Sequence, residues 1–99
     1  MRAVVWLEEA VQDLKAIGTF IAEDNPSAAY RVLTKIKASA DSLQQNPELG
    51  RLGRVEKTRE LVVPGLPYIL PYTLAKKEIR ILAVLHTARK WPDDFTSKA

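Results

Sequence analysis

Apolar and polar positions recur along this chain with two different periods, and the change from one to the other outlines the fold. Ala3 to Leu7 ("AVVWL") is a short apolar run with β-branched and aromatic members, which predicts a strand. From Glu8 to Glu23 the period lengthens. Ala10, Leu14, Ile17 and Ile21 recur at helical spacing and form one face of an amphipathic helix. Glu8, Glu9 and Asp13 favour its start through the helix dipole. Gly18 weakens it slightly and marks a place of close packing. "DNPSAAY" is a break and a new start, with Asn25 as N-cap and Pro26 at the first helical position, where its missing N–H costs nothing. The second helix is expected to run to about Gln45, with Ala29, Leu33, Ile36, Ala40 and Leu43 on its apolar stripe. Two such helices joined by a tight connection make an antiparallel hairpin, and their stripes need a sheet to cover.

After the helices the period falls to two. "NPELGRLGRVEKT" reads as a loop, rich in glycine and basic residues. Three strands are predicted beyond it: Thr58 to Val63, closed by the turn dipeptide Pro64-Gly65; Tyr68 to Leu74; and, after a hairpin turn over Ala75 to Glu78, Ile79 to His86. Tyr68, Leu70, Tyr72 and Leu74 alternate onto one face. Pro71 among them removes a ladder donor, so a bulge or an unpaired position is expected there. The last strand is apolar on both faces, which suggests a central strand covered on both sides. Strict alternation sets Arg80 and His86 on the same face of it. The whole is an α+β domain of order β-α-α-β-β-β, a helical hairpin packed on a small antiparallel sheet.

Composition narrows the function. Ninety-nine residues make a single domain, 1–99. The absence of cysteine removes disulfides, thiolate metal sites and thiol catalysis, and the single histidine rules out a multi-histidine zinc site. No metal and no cofactor is expected. The longest uncharged stretch, Leu61 to Ala75, is short for a membrane helix and holds Pro64, Pro67 and Pro71. The N-terminus has too short an apolar run for a secretory signal. The chain thus reads as soluble and cytoplasmic, with no membrane partner. The net charge is only +3, but residues 1–49 carry a balance of −2 and residues 50–90 a balance of +6. A basic second half suits a polyanion or an acidic partner.

The candidate chemistry gathers in "EIRILAVLHTARKW", which delivers the only histidine with cations around it. His86 could act as a proton carrier, and Arg59, Arg80 and Arg89 could stabilise charge developing on a phosphate, as in metal-independent RNA cleavage. Arg80 and His86 are six residues, or roughly 20 Å, apart on an extended strand, too far to share a reacting atom. No tyrosine or second histidine follows His86 to complete the pair. Plainer readings stand beside this one. His86 is then a strand-end imidazole bonded to backbone, Arg80 pairs with Glu60 or Glu78, and Tyr68 and Tyr72 pack in the core with wet hydroxyls. Trp91 becomes a latch folded back on the helices.

The segments "NPSAAYRVLTKIKASADSLQQNPELGRLGR", "TRELVV", "YILPY" and "IRILAVLHTARKWP" together resemble the RelE/ParE superfamily of toxins from bacterial type II toxin–antitoxin modules, over Val4 to about Pro92. The combination is the telling part: a helix leaving through Leu-x-x-x-Pro-x-x-Gly-Arg, a strand with arginine, then an apolar strand ending in Leu-His. The resemblance implies the β-α-α-β-β-β fold and a cognate antitoxin, ParD-like and DNA-binding, whose tail wraps the toxin. It also implies one of two targets. ParE-like members poison DNA gyrase; RelE-like members cut messenger RNA on the ribosome. The long helical hairpin and the incomplete RelE-type cluster favour the ParE-like branch. On that reading Arg51, Arg54, Lys57, Arg59, Arg89, Lys90 and Trp91 form a docking surface. On the RelE-like reading Arg59, Arg80, His86 and Arg89 are catalytic. A basic nucleic-acid-binding module without toxicity is a third reading of residues 50–90.

Overall fold

The computed structural model describes residues 1–87. Strand β1 (Ala3–Trp6) leads into helix α1 (Glu8–Ala22), then α2 (Pro26–Asp41), which a short 3-10 turn extends over Ser42–Gln44. The remaining strands are β2 (Arg51–Leu52), β3 (Arg59–Val62), β4 (Tyr68–Leu74), β5 (Glu78–Ile81) and β6 (Leu85–His86). Asn25 caps α2 as expected: its side-chain oxygen accepts from the Ala28 N–H at 3.0 Å, and Pro26 opens the helix. Gly18 is where α1 meets α2; a Cβ there would lie 2.8 Å from Leu33 Cδ1. At the β3–β4 turn Gly65 takes a φ of 75° after Pro64, the left-handed value glycine tolerates.

The strand order is β1-β5-β4-β3-β2, with β6 also paired to β4. One pairing differs from the antiparallel sheet expected. β1 runs parallel to β5, Ala3 opposite Glu78 and Trp6 opposite Ile81, so the sheet is mixed. A strand followed by a helical hairpin on one face can return only to an open edge, and the β5 edge receives it. Ile36, Leu43, Val63, Leu70, Tyr72, Ile79 and Ile81 are fully buried between helices and sheet. Leu14, Ile17, Trp6 and Tyr68 pack against them.

The predicted last strand is broken in two, and the break matters for the site. β4 and β5 pair with Tyr72 opposite Ile81; β4 and β6 pair with Tyr68 opposite His86. Between these registers Leu70 and Pro71 face three residues, Leu82, Ala83 and Val84. One extra residue is therefore inserted, a β-bulge. Pro71 explains its position. Its carbonyl accepts from the Leu82 N–H at 2.9 Å, so its missing N–H faces the bulge, where no ladder bond is forfeited. The Val84 N–H that the bulge leaves over donates to the Asp13 carboxylate of α1 at 2.9 Å. β5 is interior to the sheet as expected, but only one of its faces is covered: Ile79 and Ile81 are buried and Arg80 is exposed.

Candidate functional site

The bulge changes which side chains can act together. Ile81 lies opposite Tyr72 on the face turned to the helices, and Arg80 lies opposite Thr73 on the outer face. The extra residue then reverses the alternation, so that His86, opposite Tyr68, is on the helix-facing side. Arg80 and His86 are on opposite faces of the sheet, not on the same one. Arg80 bonds Glu78 of its own strand, Nε to Oε1 at 2.9 Å, and both side chains are half exposed. An ion pair so placed contributes little to stability. His86 packs edge-to-face on Tyr68 with ring centroids 5.6 Å apart. Together they border a groove of about 640 Å³ closed on its other side by Asp13, Ile17 and Phe20 of α1.

The loop cations form a separate group at the other end of β4. Arg59 lies opposite Tyr72, four residues and about 13 Å along β4 from the Tyr68–His86 pair. Its guanidinium donates to the carbonyls of Gly50 at 2.7 Å and Glu48 at 3.3 Å. Tyr72 holds the same loop from beneath. Its hydroxyl donates to the Pro47 carbonyl at 2.8 Å and accepts from the Gly50 N–H at 2.9 Å, so it is bonded inside the protein where a wet hydroxyl was expected. Burial pushes the Tyr72 phenol above its ordinary pKa, against the opposing pull of the Gly50 N–H and the Arg59 charge. Arg59 is thus a strut of the loop as much as a candidate contact residue.

Glu60 organises the β2–β3 hairpin. This nearly buried carboxylate accepts from Arg51 at 3.3 Å through one oxygen and from the Arg54 backbone N–H at 3.2 Å through the other. It is Arg51, not Arg80, that pairs with it. Lys57, exposed in the same hairpin, has a φ of 66°, a left-handed conformation rare for a lysine. Arg89, Lys90 and Trp91, with the latch expected of Trp91, lie outside the described residues. The described residues therefore divide the predicted site into three places: His86 by α1, Arg80 on the outer face, and Arg51, Arg54, Lys57 and Arg59 around the hairpin. Sequence reading passed over Arg2, Lys76 and Lys77, which border one recess together. The Lys-Lys pair in a hairpin turn was the visible signal; the register bringing Arg2 beside it was not.

Comparison with known proteins decides the family. Residues 4–91 match the model described as the ParE toxin of the type II toxin–antitoxin system parDE. The chain belongs to the ParE toxin family. Among curated relatives, this ParE-family toxin is 40% identical to Y4kP of Sinorhizobium fredii over 91 residues, covering 92% of this chain and 94% of that one. It is 39% identical to Toxin RelE2 of Caulobacter vibrioides over 89 residues, 90% of this chain and 99% of that one. A solved chain from the chromosomal ParDE system of P. aeruginosa superposes with a TM-score of 0.79 at 28% identity, covering 87% of this chain and 96% of that one. Among the described residues, no helix is long and apolar enough to cross a membrane.

Proposed function

We propose that this ParE-family toxin arrests growth by poisoning DNA gyrase, and that a cognate ParD-like antitoxin neutralises it. The observation that carries the choice of a docking mechanism over cleavage is the placement of His86. The one imidazole packs edge-to-face on Tyr68 beside α1, about 13 Å along the strand from Arg59 and on the opposite face from Arg80. Proton transfer and charge stabilisation on one phosphate need groups within hydrogen-bond reach of it. A protein-binding surface has no such requirement. Arg51, Arg54 and Lys57 of the hairpin, with Arg89, Lys90 and Trp91, supply its contacts, and Arg59 shapes the loop behind them. The ParDE system to which the P. aeruginosa chain belongs supports the antitoxin assignment.

The relative named Toxin RelE2 favours keeping ribosome-dependent mRNA cleavage, with Arg59, Arg80, His86 and Arg89 as its residues, as a second reading. Both are tested on one preparation of toxin. Gyrase supercoiling is expected to fall, or cleaved DNA to accumulate, while ribosome-bound mRNA stays intact, and added antitoxin restores gyrase. Cut mRNA with unaffected gyrase would make the second reading the right one.

A further inference from the structure

Strand register gathers basic residues that are distant in sequence at one end of the sheet. β1 runs parallel to β5 with Ala3 opposite Glu78, which sets Arg2 beside the β4–β5 turn and its Lys76 and Lys77. β3 runs antiparallel to β4 with Arg59 opposite Tyr72, which brings the β2–β3 loop to the same end. Two recesses record this meeting. One is bordered by Arg2, Gln44, Lys76 and Lys77, the other by Gly53, Lys57, Thr58 and Leu74.

From this arrangement we infer that the hairpin end of the sheet binds the sugar–phosphate backbone of duplex DNA. Lys57, Lys76 and Lys77 are exposed, and among the described residues no ion pair engages them. The Arg2 guanidinium is held against the turn by its Nε, which donates to the Ala75 carbonyl at 2.9 Å. Neighbouring carboxylates are drawn away: Glu60 to Arg51, Glu48 to Arg59 and Glu78 to Arg80. Glu56, in the Lys57 loop, offsets part of the charge. From β1 to β3 the end is three strand spacings wide, about 14 Å. Laid along the duplex axis, that width covers roughly four phosphates of each DNA strand.

Two further observations favour duplex backbone over other anions. Among the described residues no aromatic side chain borders either recess, so single-stranded bases find no ring there to stack on. The exposed apolar pair Leu49 and Val62, which an acidic peptide would also seek, lines a different groove against α2. Lys57 adds weight of its own. Its left-handed backbone is one that glycine or asparagine adopts more readily, yet the position carries a cation.

The inference is independent of whether gyrase is the target, and its test uses DNA alone. The full chain is titrated into a fluorescein-labelled random-sequence duplex of about 20 bp while anisotropy is followed across a series of KCl concentrations. Each phosphate neutralised contributes about −0.9 to the slope of log K against log salt, so the four cations predict a slope of about −3 to −4. The double variant Lys76→Gln/Lys77→Gln is expected to bind at least tenfold more weakly at low salt, with the slope reduced in size by about two. Lys57→Gly should reduce it by about one while raising the melting temperature, which separates loss of charge from loss of fold. Lys37→Gln, on the exposed side of α2, should leave binding unchanged. No binding at low salt overturns the inference, as does a double variant that binds like the parent. So does tighter binding to single-stranded RNA or to an oligoglutamate peptide at matched charge. Because supercoiling is measured separately, failure here leaves the gyrase reading where it stood.

Discussion

At Tyr72 three pieces of chain meet through one hydroxyl: β4, the Pro47 carbonyl and the Gly50 N–H. Replacing it by phenylalanine leaves both loop groups without their partner, and Tyr72→Phe is expected to lose about 1–3 kcal/mol in denaturant titration. Its pKa adds a pH signature. Because burial raises the folded value, the folded state holds the phenolic proton more tightly than the unfolded chain. That contribution is complete below the unfolded value of about 10 and is lost as pH climbs through the folded one. Stability should therefore fall above about pH 10, and the part due to Tyr72 should vanish in the phenylalanine variant. Lys57 tests the opposite sign. Glycine suits a φ of 66°, so Lys57→Gly should gain about 1 kcal/mol, read from the same titration. A loss would mean that the lysine side chain holds the hairpin together.

Of the elements, the helices were the most legible from sequence, because a helical period reports one buried face and nothing further is needed. Ala29, Ile36, Ala40 and Leu43 are buried as their spacing predicts, and Asn25 and Pro26 start α2 as their chemistry dictates. The last strand was legible in composition but not in phase. An apolar run looks the same with or without an extra residue, and the bulge appears only when Pro71 is placed opposite it. That single residue moved His86 to the opposite face of the sheet from Arg80, where strict alternation had set the two on one face. The bulge rests on Asp13, whose carboxylate takes the surplus Val84 N–H. Asp13→Ala should cost about 1–3 kcal/mol, since it strips the partner from a buried donor, and Asp13→Asn should cost less because an acceptor oxygen remains. Amide exchange at Val84 is the local readout: it should quicken far more in the alanine variant than in the asparagine one.

For the molecule as a whole, one layer of helices on one mixed sheet gives a single core, and Ile36 is fully buried in it. Ile36→Ala is expected to lose about 2–5 kcal/mol in thermal or denaturant unfolding. Any loss of toxicity in that variant should track the fraction unfolded, which distinguishes it from the charge variants. What sequence alone could not supply was the long-range order of strands. Each strand was visible locally, but the parallel return of β1 depends on which sheet edge remains open after everything else has packed. That return also couples the toxin to its own synthesis. Ala3 and its partner Glu78 are about 75 residues apart, and Ile79 and Ile81 complete the core from the same late strand. At 5–20 residues per second the ribosome takes about 4–15 s to travel between them. Until then β1 has no strand to pair with, so a chain cut short before β5 should lack both that pairing and a closed core.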